Sequence, residues 1–304
     1  MISSPDYRNL YAYLPLKLIM RLTQTLITFI FVSLICGQDN DWLLVGTERS
    51  YSISGIANVG DRTLVVHDNK RDYEAKLGEV HFKNGSISYK MIEWPHEEQP
   101  FDLEALTRIP GSNTDMFAME SQGKCHWLVA DHAKSRIAYN GFIQIPKIKW
   151  PTNLEGFGLL GSGETLLAVW GHRGKSKYPG KLFWGWMDLN KRTVTPIDSM
   201  EIIVEWPTES VRHISDLKVS ESGDCWISSS SDPGDDGPFS SAVYHIGRFE
   251  IEGSQVSFYR VLSTDPALKF NTKKVEAIEL IEKGILVATD DENFGGYIKT
   301  VYFK

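Results

Sequence analysis

Three glutamates occupy the same place in a recurring local pattern. The pattern, apolar–X–small–apolar, occurs as Ile53-Ser54-Gly55-Ile56, Leu103-Glu104-Ala105-Leu106, Leu154-Glu155-Gly156-Phe157, Ile214-Ser215-Asp216-Leu217 and Val275-Glu276-Ala277-Ile278. Arranged around an axis, the X residues Ser54, Glu104, Glu155, Ser215 and Glu276 would form a ring. Carboxylates brought together in this way repel one another and shift toward the protonated form unless a cation lies between them. Oxygen donors select hard ions, so Glu104, Glu155 and Glu276, joined by Asp290, form a candidate site for Ca2+ or Mg2+ and not for zinc. The competing reading has these glutamates holding backbone N–H groups at the repeat junctions.

A basic stretch accompanies them. Segment 171–181 carries His172, Arg173, Lys175, Lys177 and Lys181 in a chain with 32 Lys and Arg against 39 Asp and Glu. Beside an ion-holding ring this stretch suits a phosphate ester. The ion polarises the phosphoryl group, Arg173 clamps two oxygens, and Lys175 and Lys177 add positive charge. His172 and His67 are the general-base candidates. The alternative is a solvated loop turned by Tyr178-Pro179-Gly180. The run 228–231 with Asp232, Asp235 and Asp236 reads as a loop lacking EF-hand spacing. No Gly-x-Ser-x-Gly elbow, phosphate-binding loop, dinucleotide fingerprint or His-Glu-x-x-His motif occurs, so serine-hydrolase and zinc-peptidase chemistry are unsupported.

The elements that must position these residues are strands. Short β-branched and aromatic runs at 63–67, 116–119, 165–170, 225–228 and 285–289 alternate with Gly, Asn, Asp and Pro turns, and no stretch keeps helical spacing. From X to X the pattern steps by 50, 51, 60 and 61 residues, the repeat length of a propeller blade with four strands. Trp94-Pro95, Trp150-Pro151 and Trp206-Pro207 each precede the next copy, where an outer strand ends and the chain crosses over. The fold expected is all-β, a five-bladed β-propeller, with six blades as the alternative. The last copy has room for about three strands, and a strand within 42–48 would complete it and close the ring. In such a ring the X residues and the second-strand ends meet at one mouth of the channel. Those ends supply His67, Asp68, Glu120, His172, Arg173, Ser229, Asp290 and Asp291. Trp184 and Trp186 alternate along one strand and should pack between blades.

These residues resemble the phytase-like propellers, secreted families described as having esterase-like activity of phytase. The likeness rests on Ile53-Ser-Gly-Ile-Ala with Leu64-Val-Val-His-Asp, Asp102-Leu-Glu-Ala-Leu with Phe117-Ala-Met-Glu-Ser, and Leu154-Glu-Gly-Phe with Leu166-Leu-Ala-Val-Trp-Gly. Ile214-Ser-Asp-Leu and Val275-Glu-Ala-Ile with Leu286-Val-Ala-Thr-Asp-Asp complete it. The resemblance implies a propeller over essentially the whole mature chain and speaks less to chemistry. The acidic ring and the basic stretch, read together, suggest divalent-metal-assisted hydrolysis of a phosphate ester. The rival function is a non-catalytic propeller that binds an extracellular or cell-surface protein or glycan.

The apolar run 26–37 follows Met20-Arg21 and precedes Gln38-Asp39-Asn40-Asp41. It is shorter than the roughly 20 residues a bilayer span needs and has the layout of a secretory signal peptide. The expected organisation is a leader over 1–37, with Met20 as an alternative start and cleavage after Gly37 or Cys36, then one domain over 38–304. The protein would be secreted or periplasmic. An uncut leader or a lipid on Cys36 would instead anchor it to the membrane. Cys125 and Cys225 fall in non-adjacent repeats and are expected to be free thiols. A formal charge of −7 gives no footprint for nucleic acid. A small phosphorylated substrate and a monomeric chain complete the reading.

Overall fold

The protein is described here as a computed structural model, covering residues 41–131, 136–147, 153–161, 163–261 and 265–303. The leader read over 1–37 and the Trp150-Pro151 marker lie outside these residues.

Five antiparallel sheets make a five-bladed propeller, as the repeat predicts. Blade 1 is β2 (Gly55–Val59), β3 (Arg62–Val66), β4 (Leu77–Lys83) and β5 (Ser86–Ile92). Blade 2 is β6 (Leu103–Arg108), β7 (Asp115–Glu120), β8 (Lys124–Asp131) and β9 (Arg136–Gln144). Blade 3 is β10 (Leu154–Leu160), β11 (Thr165–His172), β12 (Gly180–Asp188) and β13 (Thr193–Ile202). Blade 4 is β14 (Val211–Val219), β15 (Asp224–Ser231), β16 (Ser241–Glu252) and β17 (Gln255–Arg260), with β18 (Leu268–Phe270) added on β16. Blade 5 is β19 (Val275–Ile281), β20 (Gly284–Thr289), β21 (Gly296–Tyr302) and, from the start of the domain, β1 (Leu43–Gly46). β1 pairs antiparallel with β21 through Leu43–Ile298 and Leu44–Tyr297, so the two ends of the domain close the ring and cover an edge.

Burial follows position in the blade. Every residue of β10 and β20 is buried, whereas β9 alternates between buried and exposed. An inner strand is covered on both faces by neighbouring blades, and an outer strand on one only. The apolar clusters accordingly lie between blades. One joins Ala57, Leu64 and Leu77 to Leu106, Met116 and Leu128, and another joins Leu167, Val169 and Trp184 to Leu217, Ile227 and Phe249. Trp184 packs edge-on to Phe249 at 5.5 Å between blades 3 and 4, as expected. Cys125 and Cys225 are buried and unbridged.

The small residue of the repeat has a steric cause. A Cβ on Gly55 would come within 2.5 Å of Leu106 N, and one on Gly156 within 2.6 Å of Leu217 N. Inner strands of adjacent blades therefore touch backbone to backbone at this point. In blade 4 the position is Asp216, whose carboxylate accepts Leu217 N at 2.7 Å and, from the next blade, Ile278 N at 2.8 Å.

The two ends of the channel are built differently. At one end, tight turns such as 60–61, 220–223 and 282–283 join first to second strands. The other end carries the second-to-third-strand loops 67–76, 121–123, 173–179, 232–240 and 290–295. We call these the hairpin end and the loop end.

Candidate functional site

The X residues open the inner strands at the loop end. In blades 2, 3 and 5 the pairing shifts register across them, with Leu103 opposite Glu120 but Ala105 opposite Met119, and likewise around Glu155 and Glu276. Each glutamate is thus the extra, unpaired residue of a β-bulge, a device that turns one side chain out of the ladder. Ser215 lies in a wider irregularity between Arg212 and Asp216. Ser54 stands just ahead of β2, its N–H donating to Val66 O at 3.1 Å.

All three glutamates are buried, and two have partners. Glu276 accepts Arg212 Nη1 and Ser230 Oγ, both at 3.1 Å, and lies 3.5 Å from Lys274 Nζ. Glu155 accepts Asn153 Nδ2 at 3.0 Å and Arg173 Nη1 at 3.3 Å. Lys274, wholly buried, also meets Asp290 at 3.0 Å and Glu292 at 2.5 Å, while Arg49 reaches Glu292 at 2.6 Å. Arg212 pairs with Asp232 as well. Although burial opposes it, the Lys274 ammonium holds Asp290 well below the usual carboxylate range.

Glu104 is different. It is 9% exposed, and among the described residues it has neither hydrogen bond nor ion pair. Burial, and then the charges of Glu155, Asp102, Asp68 and Glu276, drive its pKa well above the ordinary value. Asp68, half-buried, is likewise without hydrogen bond or ion pair among these residues. Burial, followed by Asp290, Glu292 and Asp102, pushes its pKa up to about 7. Lys70 pairs with Asp102 at 2.9 Å and also feels Glu104. Burial also pushes Glu276 up to about 8 against the pull of Lys274 and Arg212. Among the described residues at the loop end, Glu104 and Asp68 combine a raised pKa with the lack of any hydrogen bond or ion pair, beside carboxylates paired with Lys70, Arg173, Arg212 and Lys274.

This arrangement bears on the expected ion. Glu104, Glu155, Glu276 and Asp290 are not gathered around one point. Among the described residues no three His, Cys, Asp or Glu side chains converge to hold a metal. Ca2+ or Mg2+ would compete with Arg173, Arg212 and Lys274 for Glu155, Glu276 and Asp290. For Glu155, Glu276 and Asp290 the chain's own cations supply the counter-charge that the repeat alone assigned to an ion, so these three do not fit a resident one.

The two histidines divide. His67 is fully buried. Its Nδ1 lies 2.6 Å from Ser52 O and its Nε2 2.9 Å from Tyr89 Oη, and burial lowers its pKa to about 4. It is a neutral tie within blade 1, closed to substrate. His172 is half-buried, with Nδ1 2.9 Å from Asn153 O and 3.2 Å from Asn153 N. Burial lowers its pKa, and Arg173 adds to the effect. Arg173 remains 34% exposed while bound to Glu155. Lys175 and Lys177 are exposed on the loop, and Lys175 sits 5.3 Å from the Tyr178 ring centre. The run 228–231, expected as a loop, is the buried end of β15, where Ser230 supports Glu276 and lies 2.7 Å from Ser215 Oγ.

Spacing gave no weight to Arg212, Lys274 or Lys70. Lys274 stands two residues ahead of Glu276 and Arg212 three ahead of Ser215. A scan for basic residues just before each X position would have found both.

At the hairpin end a cavity of about 1120 Å³ opens among Thr107, Arg108, Gly158, Lys218, Phe249 and Glu279. Lys218 crosses from blade 4 to donate to Leu106 O of blade 2 at 2.9 Å, and it lies 3.3 Å from Asp216. Glu279 accepts Asn58 N at 3.3 Å. Burial pushes Asp216 up to about 6 and Glu279 up to about 7. The space is large, but the charged groups on its floor are occupied in joining blades.

No family model and no curated protein matches the chain. Among solved structures it is similar to the calcium structure of a Trichoderma reesei carbohydrate-active enzyme of family AA12, at 11% identity over 87% of this chain and 81% of that one, with a TM-score of 0.42. It is also similar to an endo-arabinase from Bacteroides thetaiotaomicron, at 12% identity over 86% and 98%, TM-score 0.47. A third is the outer-coat vertex of COPII on membranes, at 8% identity over 86% and 71%, TM-score 0.41.

Proposed function

We propose that the protein is a hydrolase acting at the loop end of its channel, and that its substrate is a phosphate ester. The observation that carries this reading is Glu104, a buried carboxyl without a partner among the described residues, whose pKa is raised by burial and by the neighbouring Glu155, Asp102 and Asp68 charges. A protonated carboxyl in a mouth can donate to a departing oxygen. In the proposed reaction water attacks phosphorus and gives its proton to the Asp68 carboxylate. The bond from phosphorus to the alkoxide breaks, and Glu104 delivers its proton to that oxygen. Arg173, exposed on one side of its ion pair, holds the phosphoryl oxygens, and His172 helps to fix the segment that carries it. Export through the 1–37 leader is part of the proposal, and N-terminal sequencing of the released protein tests it.

The pairing of Glu155, Glu276 and Asp290 with internal cations favours a second reading, a propeller that binds its partner without turnover. Phosphate release from p-nitrophenyl phosphate and a panel of sugar phosphates separates the two. The hydrolase reading expects release that persists in a chelator and falls about a hundredfold or more in Glu104→Gln, with the fold retained. Release that stops in the chelator and returns with Ca2+ would restore the ion-assisted mechanism. No release from folded protein would leave the binding reading.

A further inference from the structure

Exposed aromatic rings at the loop end include Phe294 on blade 5, but those with a cation beside them stand on two sides. On blade 1, Tyr73 is 77% exposed, and Arg71 lies over it at 6.0 Å while donating to its hydroxyl at 3.0 Å. Phe101, 52% exposed and just ahead of β6, carries Lys70 of the same blade 1 loop at 5.6 Å. On blade 3, Tyr178 is 60% exposed and carries Lys175 at 5.3 Å. Each ring therefore combines a large apolar surface with a cation at its side.

Their placement relates them to the carboxyl already singled out. Blade 2, which supplies Glu104, lies between blades 1 and 3, and its loop 121–123 is the shortest of the five at this end. Lys70 of the first platform feels the Glu104 charge, and the Tyr178 loop begins at Arg173, which binds Glu155. In blade order the platforms therefore stand on either side of the blade that carries Glu104.

We propose that the phosphate ester is borne on a glycan chain that lies across blade 2, its sugar rings stacked on Tyr73 with Phe101 and on Tyr178, and its anionic groups met by Lys70, Arg71 and Lys175. This rests on the hydrolase reading for its phosphate and adds the carrier. A stacked ring supplies apolar C–H surface to an aromatic face, and the neighbouring cation supplies preference for charged over neutral chains. Two platforms either side of one acid suit a substrate with repeating rings. An anionic membrane fits less well, because Asp72 and Glu74 share the Tyr73 loop and Asp235 and Asp236 stand on the loop of blade 4. These carboxylates would repel a negative surface.

Affinity for a phosphomannan, measured against neutral mannan and against phosphatidylserine vesicles, tests the proposal without requiring turnover. The expected result is tighter binding to phosphomannan than to mannan, weakened about five- to tenfold by Tyr73→Ala and by Tyr178→Ala. Tyr302→Ala, an exposed ring at the hairpin end, should bind as the parent does. Equal affinity for both mannans, or unchanged affinity in both tyrosine variants, would overturn the proposal, as would binding to vesicles in place of phosphomannan. Phosphomannan binding with no phosphate release would sink the hydrolase reading alone and leave the glycan surface standing.

Discussion

The two ends of the channel use the same kinds of side chain for different purposes. At the hairpin end the buried charged groups Lys218, Asp216 and Glu279 each bond to another blade or to a near neighbour. At the loop end the pairing is just as dense around Glu276, Glu155 and Asp290, yet Glu104 and Asp68 are left out of it. A buried polar group without a partner costs stability, and a fold tolerates that most readily where the group has chemical work. The size of a cavity and the reactivity of its walls are therefore separate properties here.

Parallel substitutions at the two ends sharpen this contrast. Glu104→Gln should reduce phosphate release about 10²- to 10⁴-fold, whereas Glu279→Gln, at the opposite end, should leave it unchanged. Equal losses from both would erase the distinction. The next largest effect concerns the paired network. Lys274→Met leaves Glu276, Asp290 and Glu292 buried without their shared cation and should destabilise by about 3–5 kcal/mol, read as a lower denaturation midpoint. Gly55→Ala should cost about 1–3 kcal/mol, because the added methyl meets Leu106 backbone that cannot turn aside. Lys218→Met should cost about 1–3 kcal/mol, since Asp216 keeps its two backbone donors.

The smallest effect is a pH trend in stability. Glu104, Asp68, Asp216 and Glu279 all have raised pKa values in the folded state. Between about pH 4 and 7 these carboxyls hold protons in the folded chain that they release in the unfolded one. Their contribution to stability therefore falls as pH rises, while His67, lowered to about 4, acts the other way only up to about pH 6.5. Melting temperature should be higher at pH 5.5 than at pH 8, and Glu279→Gln should narrow the difference. A rise in melting temperature toward pH 8 that Glu279→Gln leaves unchanged would contradict a raised Glu279.

The sequence disclosed the architecture because the repeat is a direct record of it. The small residue at Gly55 and Gly156 marks where blades touch, the X residue marks the bulge, and the short final copy calls for a closing strand, found at Leu43–Gly46. The X residues also come together at the loop end, where the proposed site lies. The sequence did not disclose which carboxylates are already satisfied. Arg173 reaches Glu155 from a second-strand loop of the same blade, whereas Arg212 reaches Glu276 across a blade boundary, and no common spacing links the two pairs. His67 shows the same difficulty, since the Tyr89 hydroxyl that helps enclose it is two strands away. Such partners come from packing between elements, and a linear pattern does not record it.

The most direct test of the account is the pH dependence of phosphate release by the parent protein, Asp68→Asn and Glu104→Gln, all in the presence of a chelator. The account predicts that parent activity rises as Asp68 ionises near pH 7 and declines where Glu104 loses its proton. Asp68→Asn should remove the rising limb, and Glu104→Gln should lower the whole profile. Activity that ignores both substitutions, or that disappears for the parent protein in chelator, would contradict the claim that Glu104 and Asp68 carry the chemistry.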